Sequence, residues 1–195
     1  MQTGTQRVLT PVRYSVDTSA SQFTVQAFAT GLLSVLGHNP TIGIRDYEGE
    51  IQFTPETYEG ASVRLAIHTG SMEILNEMKG DDRRKMEQLM YENVLDVDHF
   101  PTAVYESRAI SLENQSSNVL RAQVSGELTF HGVTQAQSFD ARVVSLGTMM
   151  RISGGFSLRQ SDYGIKPVSF AAGTLRLKDE IKFNFELVAR MQEPG

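Results

Sequence analysis

Cysteine and tryptophan are both missing from this chain. Without cysteine there are no disulfides, no thiolate nucleophile and no cysteine metal site, and either a reducing or an oxidising compartment is open. Positive charge is in deficit: 18 Lys and Arg stand against 23 Asp and Glu, a formal net charge of -5. An acidic chain of pI near 5.4 has no electrostatic footprint for nucleic acid and little attraction to anionic membrane surfaces. No apolar run approaches the ~18 residues needed for a membrane-spanning helix. The first stretch, MQTGTQRVLTPVRY, lacks the apolar centre of a secretory leader. The expected location is therefore cytoplasmic as written, or periplasmic if a leader was removed. Enzyme signatures are missing as well: there is no G-x-S-x-G, P-loop, G-x-G-x-x-G or H-E-x-x-H.

What the chain has in quantity is alternation. From Leu120 to Phe130 the even positions are Leu120, Ala122, Val124, Gly126, Leu128 and Phe130, and the odd ones are polar or charged. A strict period of two marks a strand with one apolar and one wet face. His131-Gly132 interrupts it, and both residue types accept positive φ, so a tight hairpin is expected there. The return strand runs from Val133 to Leu146. Similar patterns cover Gln22–Thr30, Thr41–Phe53 with a break at Arg45-Asp46, Ser62–Thr69, Thr102–Leu112, Met149–Arg159 and Asp179–Met191. A turn is expected over Glu113–Asn118 and a loop over Tyr163–Ala172. Only between Met78 and Leu95 does the period become helical, through Met86, Leu89, Met90 and Val94, with Asp81 or Asp82 as the expected cap. A shorter helical turn or lid is expected over 31–37, ending at His38-Asn39-Pro40. Roughly eight evenly spaced strands predict an all-β fold, an antiparallel eight-stranded barrel with one α-helix and a short helical turn. One domain is expected over 13–191, after a polar lead-in at 1–12.

The inward faces mix aromatic and very small residues. Phe23, Phe130, Phe156, Phe183 and Phe185 share them with Ala27, Ala29, Ala122, Gly126, Gly154 and Ala189. Small residues on such a face either receive a bulky neighbour or leave space, and an eight-stranded barrel is just wide enough to be filled or to hold one small ligand. The methionines Met72, Met78, Met86 and Met90 around the helix fit core packing or an adaptable gate. The charge run Asp81–Lys85 reads as a solvated face. The four histidines, His38, His68, His99 and His131, show no pair at metal-ligand spacing. No metal or cofactor is expected.

The stretch GELTFHGVTQAQSFDARVV, residues 126–144, resembles the signature of the YceI-like family, with its G-x-L-T-hydrophobic-H-G-V-T run. Tyr14-Ser15-Val16-Asp17 resembles that family's opening strand, and Tyr47–Phe53 its G-x-I-x-F strand. The charged helix followed by Phe100-Pro101 is similar to its helix and turn, and Arg159–Ile165 to its R/Q-x-D-F/Y-G element. The resemblance spans about residues 13–190. It implies a lipocalin-like barrel holding a polyisoprenoid or another amphiphilic lipid in a central tunnel, with no catalytic mechanism. Many members are exported. Here the Leu36–Pro40 segment looks like a variant found in part of the family.

The leading expectation is thus a non-enzymatic protein that binds, stores or transports a long-chain amphiphile, a polyisoprenoid or isoprenoid quinone first among them. Its expected wall is Phe23, Val25, Leu65, Ile67, Gly126, Leu128, Phe130, Phe156, Phe183 and Phe185, acting by burial at ~25 cal/mol per Å2. His38 and His131 are the expected rim groups for a head group. Two rivals stand beside it: an enzyme acting on a bound amphiphile through His and Asp, and a filled barrel serving as a stress-protein scaffold or homodimer.

Overall fold

The structure, a computed structural model, describes residues 10–30, 39–170 and 175–193. The helical turn expected over 31–37, and His38, lie outside them. Twelve strands follow in chain order: β1 (Val12–Val16), β2 (Gln22–Thr30), β3 (Thr41–Ile44), β4 (Tyr47–Phe53), β5 (Ser62–His68), β6 (Met72–Ile74), β7 (Thr102–Ser116), β8 (Val119–Phe130), β9 (Val133–Leu146), β10 (Met149–Arg159), β11 (Ser169–Phe170) and β12 (Leu175–Met191). One helix, α1 (Gly80–Leu89), continues as a π-helical turn over Met90–Leu95.

Eight of these strands close a ring in the order β1-β4-β5-β7-β8-β9-β10-β12, and β12 pairs back onto β1. All pairings are antiparallel, so the fold is the expected closed eight-stranded barrel. A second tier, β12-β2-β3-β6, extends three staves of the ring. The registers show why there are more strands than staves. Ser15 faces Glu50 in the β1–β4 pair, and Thr24 faces Gly43 in β2–β3, so β1 and β2 are one stave and β3 and β4 the next. Tyr47↔Ile67 and Ile44↔Met72 join β5 and β6 in the same way. Each of the three staves breaks once, at polar turn-forming residues: Asp17–Ser21, Arg45-Asp46 and Thr69–Ser71. Side chains take over the interrupted ladder. Ser71 Oγ accepts from Asp46 N at 2.9 Å, and Ser21 Oγ accepts from Val188 N at 2.9 Å.

Turn chemistry fixes the long meander. His131 and Gly132 both hold positive φ, 50° and 73°, the pair of left-handed residues a two-residue hairpin with the sheet's twist requires. Three boundaries differ from the sequence reading. β7 runs on to Ser116, because its cross-strand partners on β8 continue past Leu112, and the turn shrinks to Ser117-Asn118. β12 begins at Leu175, absorbing a bulge between Leu177 and Ile181. The loop after Tyr163 contains β11. The helix begins ahead of the expected caps: it starts at Gly80, and Lys79 takes the cap position without a side-chain bond. Asp81 and Asp82 sit in the first turn, where their charge favours the helix dipole without capping it.

Candidate functional site

Two cavities follow one another inside the barrel. The first, about 150 Å3, lies within the closed ring and is walled by apolar atoms. The second, about 380 Å3, lies within the other tier, between β2, β3, β12, α1 and the segment after β10. Met72, Phe130 and Phe183 line both, so these three side chains form the partition between the chambers. The order is visible along β12: Leu177 and Ile181 face the second chamber, Phe183 the partition, and Phe185 and Leu187 the first chamber. From Leu177 to Leu187 the strand covers roughly 30 Å at ~3.3 Å per residue.

The small residues of the inward faces do both things open to them. Ala103, Ala122 and Ala141 leave space and line the first chamber, Ala122 and Ala141 being direct cross-strand partners. Gly154 instead receives Phe185, whose Cζ lies 2.7 Å from where a Cβ would stand. Gly126 likewise receives a neighbour. A Cβ there would run into the Glu106 carbonyl oxygen and lie 2.7 Å from Tyr105 Oη, at the β7 bulge between Ser107 and Ala109. Gly126 is therefore inward but lines neither chamber, and its expected place in the wall is corrected. Phe23, Leu65, Ile67, Leu128, Phe156 and Phe185 line the first chamber, Val25 the second, and Phe130 and Phe183 both. The aromatic wall is ordered: Phe156 and Phe183 stack at 4.7 Å with 6° between planes, Phe139 stacks on Phe156 at 5.8 Å, and Tyr105 leans on Phe139 at 5.3 Å. Burial pushes the Tyr105 phenol up to about 12, and its hydroxyl donates to Gln137 O at 3.2 Å.

The helix covers the second chamber with the residues its periodicity singled out: Met86, Leu89, Met90 and Val94. Met72 belongs to the partition, whereas Met78 lines neither chamber. The charge run is the expected solvated face at Asp81, Asp82, Arg84 and Lys85, with Arg84 paired to Asp81, but Arg83 is half-buried and bonds to a strand edge. β6 is paired with β3 on one side only, leaving Met72 O, Ile74 N and Asn76 O along its other edge. Three side chains one helical turn apart satisfy them. Arg83 Nη2 donates to Asn76 O at 3.1 Å, Glu87 Oε1 accepts from Ile74 N at 3.0 Å, and the Tyr91 hydroxyl donates to Met72 O. Positions i, i+4 and i+8 of a helix thus stand in for a missing strand.

His131 does not line a chamber. It sits in the β8–β9 turn, 4.3 Å from the Phe100 ring, with Nδ1 3.3 Å from Tyr163 O. Its expected rim role is corrected: the imidazole braces the turn. His99 is bonded to Asp96 at 2.7 Å on the surface. Among the described residues no three His, Asp or Glu side chains gather in metal-binding geometry, and no helix is long and apolar enough to cross a membrane.

The YceI-like domain matches residues 14–189. This chain belongs to the YceI-like family. A UPF0312 protein of Pseudomonas aeruginosa (strain LESB58) is 26% identical over 147 residues, 72% of this chain and 71% of the relative. Burkholderia cenocepacia BcnA has the same fold, with a TM-score of 0.68 at 18% identity, over 89% of this chain and 98% of that one. A polyisoprenoid binding domain from Saccharophagus degradans gives a TM-score of 0.67 at 14% identity, over 92% of this chain and 98% of its own. In this YceI-like barrel the signature run becomes β8, its turn and the start of β9. Sequence reading missed the residues that close the second chamber behind the ring: Gln160, Ile165 and Val168. They lie after β10 in short irregular segments, where no periodicity distinguishes an inward side chain from an outward one.

Proposed function

We propose that this YceI-like barrel binds one long-chain amphiphilic lipid, threaded through both chambers past Met72, Phe130 and Phe183. The observation that carries the reading is the succession of two apolar cavities along β12, separated only by side chains. Left empty, even the smaller would forgo about 4 kcal/mol at ~24 cal/mol per Å3, a large part of a typical net stability of roughly 5–15 kcal/mol. An isoprenoid chain is the favoured occupant, since the Saccharophagus degradans neighbour is a polyisoprenoid binding domain. Bulky, unsaturated, methyl-branched chains suit a wall of stacked aromatic rings. Binding by area burial needs no reacting group, so the barrel acts as a carrier or store.

Native mass spectrometry tests this. Purified protein is expected to carry a hydrophobic adduct, and delipidated protein to take up geranylgeraniol at one molecule per barrel. Ala122→Phe, which projects a ring into the first chamber, is expected to keep the strand circular dichroism and lose uptake of long chains. A delipidated wild-type protein that takes up no long-chain lipid would end the carrier reading.

A further inference from the structure

Gln160 is the one polar side chain among the described residues that line the second chamber. It is 5% exposed, and the other buried polar side chain among the described residues, Thr69, lies elsewhere. A buried primary amide in a chamber otherwise lined by apolar side chains, Ile165, Leu177, Ile181 and Phe183 among them, is costly unless its groups are used. Half of it is used within the chain. Nε2 donates to Lys178 O at 3.0 Å and to Asp179 O at 3.4 Å, the carbonyls that the β12 bulge withdraws from strand pairing. Those bonds orient the amide and leave Oε1 as its remaining polar atom. No donor among the described residues reaches that oxygen. The backbone around it is also held: Ser161 N and Ser161 Oγ both donate to the Asp179 carboxylate, at 2.8 and 2.5 Å, and Ile165 N donates to Gln160 O at 3.1 Å.

We infer that Gln160 Oε1 is the acceptor for the polar end of the bound lipid. This rests on the carrier reading and gives the ligand a direction and a head-group class. The tail fills the first chamber, where the atoms facing the cavity are apolar even though Glu50, Gln52, Ser62 and Arg64 are among the lining residues, and the head lies in the second chamber beneath α1. An acceptor with both amide hydrogens committed selects a head that donates a hydrogen bond: an alcohol, a phenol or an amide N–H. A phosphate or diphosphate is disfavoured there, because no charged side chain among the described residues lines the chamber to offset its burial.

The probes are geranylgeraniol and its methyl ether, which share a chain and differ in the donor. Their affinities for the delipidated full-length protein are measured by calorimetry, for the wild type and for Gln160→Leu. The alcohol-to-ether affinity ratio is expected to fall roughly three- to tenfold in the variant, the value of one neutral hydrogen bond. Comparing ratios cancels the different hydration of the two probes. Should Gln160→Leu not fold, nuclear Overhauser contacts in the wild type decide. The carbinol CH2 is expected near the methyls of Ile165 and Ile181. An unchanged ratio, or carbinol contacts to Leu120 and Val143 of the first chamber instead, overturns the assignment while leaving the carrier reading intact. Uptake of neither probe by the wild type overturns both.

Discussion

A side-chain clamp ties α1 to the edge of β6 over the second chamber, and Tyr91→Phe probes it most cleanly. The substitution removes one hydroxyl and leaves the packing of the ring in place. Met72 O, in a residue only 5% exposed, loses its donor. A neutral hydrogen bond is worth about 0.5–1.5 kcal/mol, and more when a buried partner is stranded. Taking ~1 kcal/mol, the population in which the helix has lifted off the strand edge rises about fivefold. Glu87→Ala removes a charged acceptor from Ile74 N, on the order of 2 kcal/mol, and should raise it about thirtyfold. If lipid leaves by this route, its release rate rises by the same factors. Stopped-flow transfer of geranylgeraniol to acceptor vesicles measures the release, and hydrogen exchange over residues 80–95 measures the lifting. Faster exchange with an unchanged release rate would show that the lipid leaves elsewhere. Unchanged exchange in both variants would refute the clamp itself.

Gly126→Ala is expected to destabilise the barrel by about 1–3 kcal/mol through overpacking against the Glu106 carbonyl and Tyr105. At roughly 2–4 °C per kcal/mol for a chain of this size, melting should drop clearly. Gly80→Ala, with nothing within 4 Å of its Cβ at the start of α1, should be neutral or slightly stabilising. The hydrogen bond and charge of Asp96 hold His99 above the ordinary imidazole value. Its contribution to the folded state is full below the unfolded pKa and is lost as pH rises through the folded one. Asp96→Asn keeps the left-handed backbone available and should return the His99 titration, followed by NMR, to the ordinary range; an unmoved titration would contradict the pairing. In an alkaline ultraviolet titration Tyr105 is expected to ionise late, near pH 12, because it is buried; ionisation of every tyrosine near pH 10 would refute that.

Much of this fold is legible in the order of residues. Period-two alternation places Leu120–Phe130 on β8 with its apolar face inward, because a strand has only two faces and one of them must be dry. His131-Gly132 marks the hairpin, because few residue types tolerate two successive left-handed backbones. Met86, Leu89, Met90 and Val94 mark the covering face of the helix by their spacing alone. These are local rules, and they hold before any partner is known.

Whether an inward position is hollow was decided only by the tertiary structure. Ala122 and Gly126 are equivalent in the pattern, four residues apart on one face, yet Ala122 opens onto the first chamber and Gly126 is covered. The difference lies on β7, where a bulge brings the Glu106 carbonyl and the Tyr105 ring across. In the same way Gln160 gains its neighbours from a bulge on β12, and Arg83, Glu87 and Tyr91 gain theirs from the unpaired edge of β6. Alternation along one strand specifies the side on which a residue stands. The space in front of it is set by side chains from strands far away in sequence, which meet it only once the barrel has closed.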